Sequence, residues 1–164
     1  MTSDEVIAWF DSLPPVQEAD MLGNWRGEEV PTDHPMDGLL VSARWHGKRF
    51  EGPDAVHPLV HQVPFWGRRS LNPALLPLGF ITGLPGRDAL LNLTFPLLAP
   101  LFFTSKPRAR LRVIRFRGRE HAAMCYDAKP INDVFARIDE QSMLGWMDFK
   151  GMERPYFFKL TREG

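Results

Sequence analysis

The sequence predicts a mainly β fold: an antiparallel barrel preceded by short N-terminal helices. Three observations lead there. The stretch Gly23-Asn24-Trp25-Arg26-Gly27 puts one indole between two residues without side chains on the same face of a strand. Glycine permits a bend or a close backbone approach, and Trp25 then closes the base of a curved sheet. Residues 110–117 alternate arginine with apolar side chains, Gly118 supplies a turn, and 120–127 returns, which reads as a β-hairpin. Finally, 15 prolines disfavour a helical bundle, because proline interrupts helix interiors.

The 164 residues suffice for one domain with a sizeable core. It divides into a first part over 1–62, a proline-rich apolar connection over 63–107 and a C-terminal β part over 108–164. Residues 3–13 are expected to form a helix. Ser3 would cap it, Asp4 and Glu5 suit its positive end, and Val6, Phe10 and Leu13 share a face. Pro14-Pro15 ends it. After the glycine–tryptophan strand and a loop over 31–38, residues 37–46 have helical spacing, yet 45–51 read equally well as a strand.

Between Ser70 and Ser105 the only charges are Arg87 and Asp88. Pro96 and Pro100 exclude a simple long helix through the apolar stretch 89–103. That stretch is either core or a flap over a hydrophobic cavity, with Phe95, Phe102 and Phe103 as lid residues. Arg87, Lys106, Arg108 and Arg110 around it suit anionic headgroups, and hence a transient membrane-surface contact. In the hairpin the arginines change from even to odd positions at Val113-Ile114, where a bulge would keep them on one face. Residues 131–139 are ambiguous between helix and extended chain. Strands follow over 143–149 and 156–162.

The 20 basic and 20 acidic residues cancel, which argues against a nucleic-acid partner held by general attraction. One cysteine excludes an internal disulfide and suits a reducing compartment. The acidic N-terminus lacks a secretory layout, and no apolar run reaches the roughly 18–20 residues of a membrane span. A cytoplasmic location is expected.

His57 and His61 have metal-ligand spacing only on a helix, which Pro58 between them opposes. His121 and Cys125 share a strand face but lie too far apart for a nucleophile and its base. Asp139 and Glu140 are adjacent and point apart. No catalytic residues, metal or cofactor are expected. The hairpin arginines form either a solvated outer face or an anchor. In the second reading Arg110 and Arg112, with Tyr126 from the neighbouring strand, hold the polar head of an apolar ligand.

Several short motifs carry a resemblance. Gly23-Asn24-Trp25-Arg26-Gly27, Asp37-Gly38-Leu39-Leu40, Trp45-His46-Gly47-Lys48-Arg49-Phe50 and Asn72-Pro73-Ala74-Leu75 resemble the bacterial GXWXG-domain proteins. Their second half, a domain of unknown function, is resembled by Met124-Cys125-Tyr126-Asp127, Leu144-Gly145-Trp146-Met147-Asp148 and Phe157-Phe158-Lys159-Leu160. The resemblance implies a calycin-like antiparallel barrel, akin to lipocalins and fatty-acid carriers, that binds lipid or another small hydrophobic molecule. It brings no established catalytic residues. The expected function is therefore carriage of a fatty acid or phospholipid in a barrel cavity, with Trp25, Arg110, Arg112, Tyr126, Phe95, Phe102 and Phe103 around the ligand. Two alternatives come from other classes. One is a haem-binding barrel of the nitrobindin kind with His121 as axial ligand. The other is an enzyme acting on a hydrophobic substrate, which a pocket holding His and Asp with shifted titration would favour.

Overall fold

The structure, a computed structural model, describes residues 1–77 and 83–164. Helix α1 (Ser3–Ser12) starts where expected, but its cap is Thr2 rather than Ser3. The Thr2 hydroxyl accepts from the Glu5 amide while the Glu5 carboxylate accepts from the Thr2 amide, a reciprocal cap. Helix α2 (Glu18–Met21) is one turn long and leads into β1 (Gly23–Val30). The ambiguity over 37–46 resolves into both elements in succession: α3 (Leu39–Ser42), then β2 (Trp45–Gly52). Strands β3 (Ala55–Val63) and β4 (Gly67–Ser70) follow.

Helix α4 (Arg87–Leu98) takes up the first part of the apolar stretch, and no single α-helix runs through all of 89–103. Pro96 stands inside it, near the C-terminal end, and the chain tightens into a 3-10 turn over Ala99–Phe102. Only one backbone bond is lost to a proline so placed. The remaining strands are β5 (Ala109–Phe116), β6 (Arg119–Tyr126), β7 (Ile131–Arg137), β8 (Ser142–Phe149) and β9 (Tyr156–Arg162). Among the described residues no helix is long and apolar enough to cross a membrane.

The fold is mainly β and antiparallel, but the calycin- or lipocalin-like barrel is not what forms. The strand order is β2-β1-β9-β8-β7-β6-β5-β3-β4, with β2 also pairing with β3. Between β3 and β5 a single residue pair, Val56↔Ala109, joins the ladder, whereas β5 and β6 share eight. Beyond β3, β4 continues as an outer edge. The ladder thus lapses where a closed barrel needs it continuous, and the sheet is curled rather than sealed. Much of its concave face is packed: Trp25, Phe50, Leu111, Met124, Phe135 and Leu160 are at most 2 % exposed.

The convex face is covered at one end by α1, whose Val6 and Phe10 pack on Ala123, Val134, Leu144, Trp146 and Phe157. This explains the phase change in β5 without a bulge. The β5–β6 register is unbroken from Ala109↔Tyr126 to Phe116↔Arg119. Arg110 and Arg112 share the convex face with Ile114 and Phe116, but α1 reaches only the latter two.

Two glycines are needed for close approach. A Cβ on Gly27 would overlap the Trp45 indole at 2.1 Å, and one on Gly47 would strike the Trp25 carbonyl oxygen at 1.9 Å. The space beside the glycine–tryptophan strand is therefore filled by Trp45 from β2 rather than by Trp25 itself. Trp25 donates instead to the Met21 carbonyl at 2.7 Å, with the Arg162 guanidinium over its ring.

Candidate functional site

The site grows from an irregularity in β2. A register shift between Trp45 and Gly47 resets the alternation, so that Trp45 and Lys48, three apart, both reach the concave face. Lys48 pairs in register with Trp25 and is 3 % exposed. Opposite it, Asp133 follows the inward phase of Ile131 and Phe135 on β7 and is 1 % exposed. Their charges meet at 2.8 Å. The ammonium also lies 4.9 Å from the Phe158 ring centre, 5.4 Å from Trp45 and 5.8 Å from Tyr126. Cation–π attraction partly replaces the water it has lost.

This pair borders a pocket of about 110 Å³ beneath α3 and α4, walled by Leu39, Leu91, Phe95, Ile131 and Phe158. His61, Tyr126 and Tyr156 also line it. Four buried polar atoms of the lining residues lack a hydrogen-bond partner: Asp133 Oδ1, His61 Nε2, Trp45 Nε1 and the Tyr156 hydroxyl. His61 lies 2.6 Å from the Ala43 carbonyl through Nδ1, so Nδ1 carries the proton and Nε2 presents a bare lone pair. Burial pulls the His61 pKa down to about 4, against the opposing effect of the Ala43 carbonyl. Burial raises the Asp133 carboxyl above its ordinary range, while Lys48 resists. Burial, with the Asp133 charge, pushes the Tyr126 phenol well above its usual value. At neutral pH the site therefore offers a neutral imidazole acceptor, a phenolic donor and an ammonium beside a carboxylate with one free oxygen.

Of the residues singled out from sequence, Tyr126 and Phe95 line this pocket. Trp25 lies at the packed base. Phe102 and Phe103 pack against Val63 and Leu71 beside α4. Arg110 and Arg112 are half-exposed on the convex side, bonded to Asp127 at 3.1 Å and Asp54 at 2.5 Å.

The lipid expectation is corrected on two grounds. There is no barrel cavity, and the pocket is smaller than the roughly 150 Å³ that holds one benzene, far short of an acyl chain. Membrane contact through the flanking cations is corrected as well: Arg87 donates to the Asp37 carbonyl, Arg108 to Thr104 and Arg110 to Asp127. The haem alternative fails for want of space, since His121 is 1 % exposed and its ring lies against Phe10 at 5.3 Å. His57 and His61 lie on strand β3, about 13 Å apart along it. Among the described residues no group of three side chains could hold a metal ion.

Sequence reasoning missed Lys48 and Asp133 as site residues. A signal for Asp133 was present: a carboxylate in phase with Ile131 and Phe135 on an otherwise buried strand face.

With the geometry in place, comparison supplies kinship. GXWXG protein matches residues 8–63, and the domain of unknown function DUF4334 matches 107–162. A crystal structure of a protein from Thermomonospora curvata superimposes with a TM-score of 0.74 at 32 % identity, covering 98 % of this chain and 87 % of that one. The chain carries a GXWXG region followed by a DUF4334 region. No curated protein matches it. Both matched regions supply the site, Lys48 coming from the first and Asp133 and Tyr126 from the second.

Proposed function

We propose that the Lys48–Asp133 pocket is a proton-transfer site acting on a compact, neutral molecule that carries a carbonyl group. The observation that supports this best is a buried ion pair open to an unfilled pocket, with Asp133 Oδ1 left without a partner. Burying two charges costs several kcal/mol per ion, and a well-packed apolar pair of similar volume is often as stable. A purely structural role therefore gives little reason for this pair.

The chemistry follows from the donors and acceptors. Lys48 donates to Asp133 and, at 3.3 Å, to the Pro58 carbonyl, which leaves one N–H for a ligand. That N–H and the Tyr126 hydroxyl would hold a carbonyl oxygen and stabilise the negative charge that grows there during enolisation. Asp133 Oδ1, or His61 Nε2, would take the proton from the neighbouring carbon. The apolar walls exclude water and strengthen each of these interactions. The volume limits the substrate to about four non-hydrogen atoms. The lone unpaired Cys125 supports a cytoplasmic setting for this activity.

Acetone in D2O tests the reading, with loss of its methyl proton signal followed by NMR. The protein should accelerate exchange over buffer, and Asp133→Asn should abolish the acceleration. Exchange no faster with the protein than with a folded Lys48→Met/Asp133→Leu variant would refute it.

A further inference from the structure

A second recess lies outside the Lys48–Asp133 pocket and differs from it in kind. It encloses about 410 Å³, and its lining is polar: Arg49, Arg68, Arg69, Ser70, Thr104 and Glu163 contribute. Three guanidinium groups thus face one carboxylate. That carboxylate is fully engaged, bonded to His46 and, at 2.8 Å, to Arg68. Burial would raise its pKa, but these two partners hold it below the ordinary glutamate value.

Arg49 meets Glu51 at 3.0 Å. Arg69 has no carboxylate partner among the described residues, and its guanidinium donates only to the neighbouring Arg68 carbonyl at 3.1 Å. Thr104 is prepared as a donor. Its oxygen accepts from the Lys106 amide at 3.2 Å and from Arg108 Nε at 3.4 Å, so both lone pairs are used and the hydroxyl proton is left to give. Ser70 adds a second hydroxyl on the same wall.

We infer that this recess binds the phosphate of a small soluble phosphomonoester. A planar guanidinium fork bonds two phosphate oxygens at once, and the flanking hydroxyls serve the third. The volume beyond the phosphate leaves room for an organic portion, which an inorganic anion alone would not fill. Lys48 lines both recesses, but its ammonium is committed to Asp133, so the inference does not rest on the acid–base pocket.

Phosphorus NMR titration with inorganic phosphate and with phenyl phosphate tests it on the full chain. Both should bind, phenyl phosphate the more tightly. Arg69→Gln should weaken each at least tenfold and Thr104→Val severalfold, while Arg115→Gln, exposed near the end of β5, changes neither. Binding should persist in Asp133→Asn, which separates this site from the other. Affinity unchanged in Arg69→Gln, or equal loss in Arg115→Gln, overturns the inference.

Discussion

Replacing Lys48 by methionine isolates the term on which the acid–base reading rests. Methionine keeps most of the lysine stem but removes the ammonium, leaving Asp133 at 1 % exposure without its 2.8 Å partner. Breaking a buried pair from one side costs about 3–5 kcal/mol, because the remaining charge is uncompensated. The cost should depend on pH in a defined direction. Burial already raises the Asp133 carboxyl with Lys48 opposing, and the variant loses that opposition. The folded protein then binds a proton more tightly than the unfolded chain, so the penalty is absent below the ordinary carboxylate range. It grows by about 1.4 kcal/mol per pH unit until the pH passes the raised folded value. Urea unfolding, followed by tryptophan fluorescence, should show the variant much weaker at pH 8 than at pH 5.

The double variant Lys48→Met/Asp133→Leu removes both charges at once. If the pair is kept for chemistry rather than for stability, this protein should equal or exceed the wild type in stability, by up to about 4 kcal/mol. A double variant as destabilised as the single one at pH 8 would refute the reasoning. It would show that the pair stabilises the fold in its own right.

Three further outcomes are expected. Alanine at Gly27 forces its Cβ into the Trp45 ring and should cost about 1–3 kcal/mol, read as a shift in the urea midpoint, with much of the loss recovered by Trp45→Leu. At the α1 contact, Phe10→Ala removes a fully buried ring and should cost about 3–5 kcal/mol, whereas Asp11→Asn, which breaks an exposed ion pair with Arg117, should cost at most about 1 kcal/mol. The hydrogen bond from Arg117 lowers the Asp11 pKa, so that small contribution is present above the ordinary carboxylate range and lost as the pH falls to the depressed folded value. His61, depressed to about 4, is protonated more readily in the unfolded chain. Stability should therefore fall by about 2 kcal/mol between pH 7 and pH 5, and His61→Leu should flatten that limb of the urea series.

How far the sequence spoke depended on whether a signal was local. The β1 strand, the β5–β6 hairpin and the last two strands follow from alternation and turns within a few residues, and all form. The arginine phase change was visible too, but its cause was not. Arg110 and Arg115 differ in face, and the switch in burial records where α1 comes down on the sheet, more than 100 residues away in sequence. The barrel expectation failed for a related reason. Alternation shows that strands exist and which face they bury, yet closure depends on whether β3 and β5 meet along their length, and they meet at one pair. The site was the least legible part. Lys48 reads as a surface residue in Trp45-His46-Gly47-Lys48-Arg49, because nothing local announces the register shift that turns it inward. Asp133 breaks the apolar phase of its own strand, and that local contradiction was the one available clue. A charged residue on the buried phase of a strand demands an opposite charge somewhere across the sheet. In this chain it finds one only because two regions, 85 positions apart at Lys48 and Asp133, are brought together by the curl between β2 and β7.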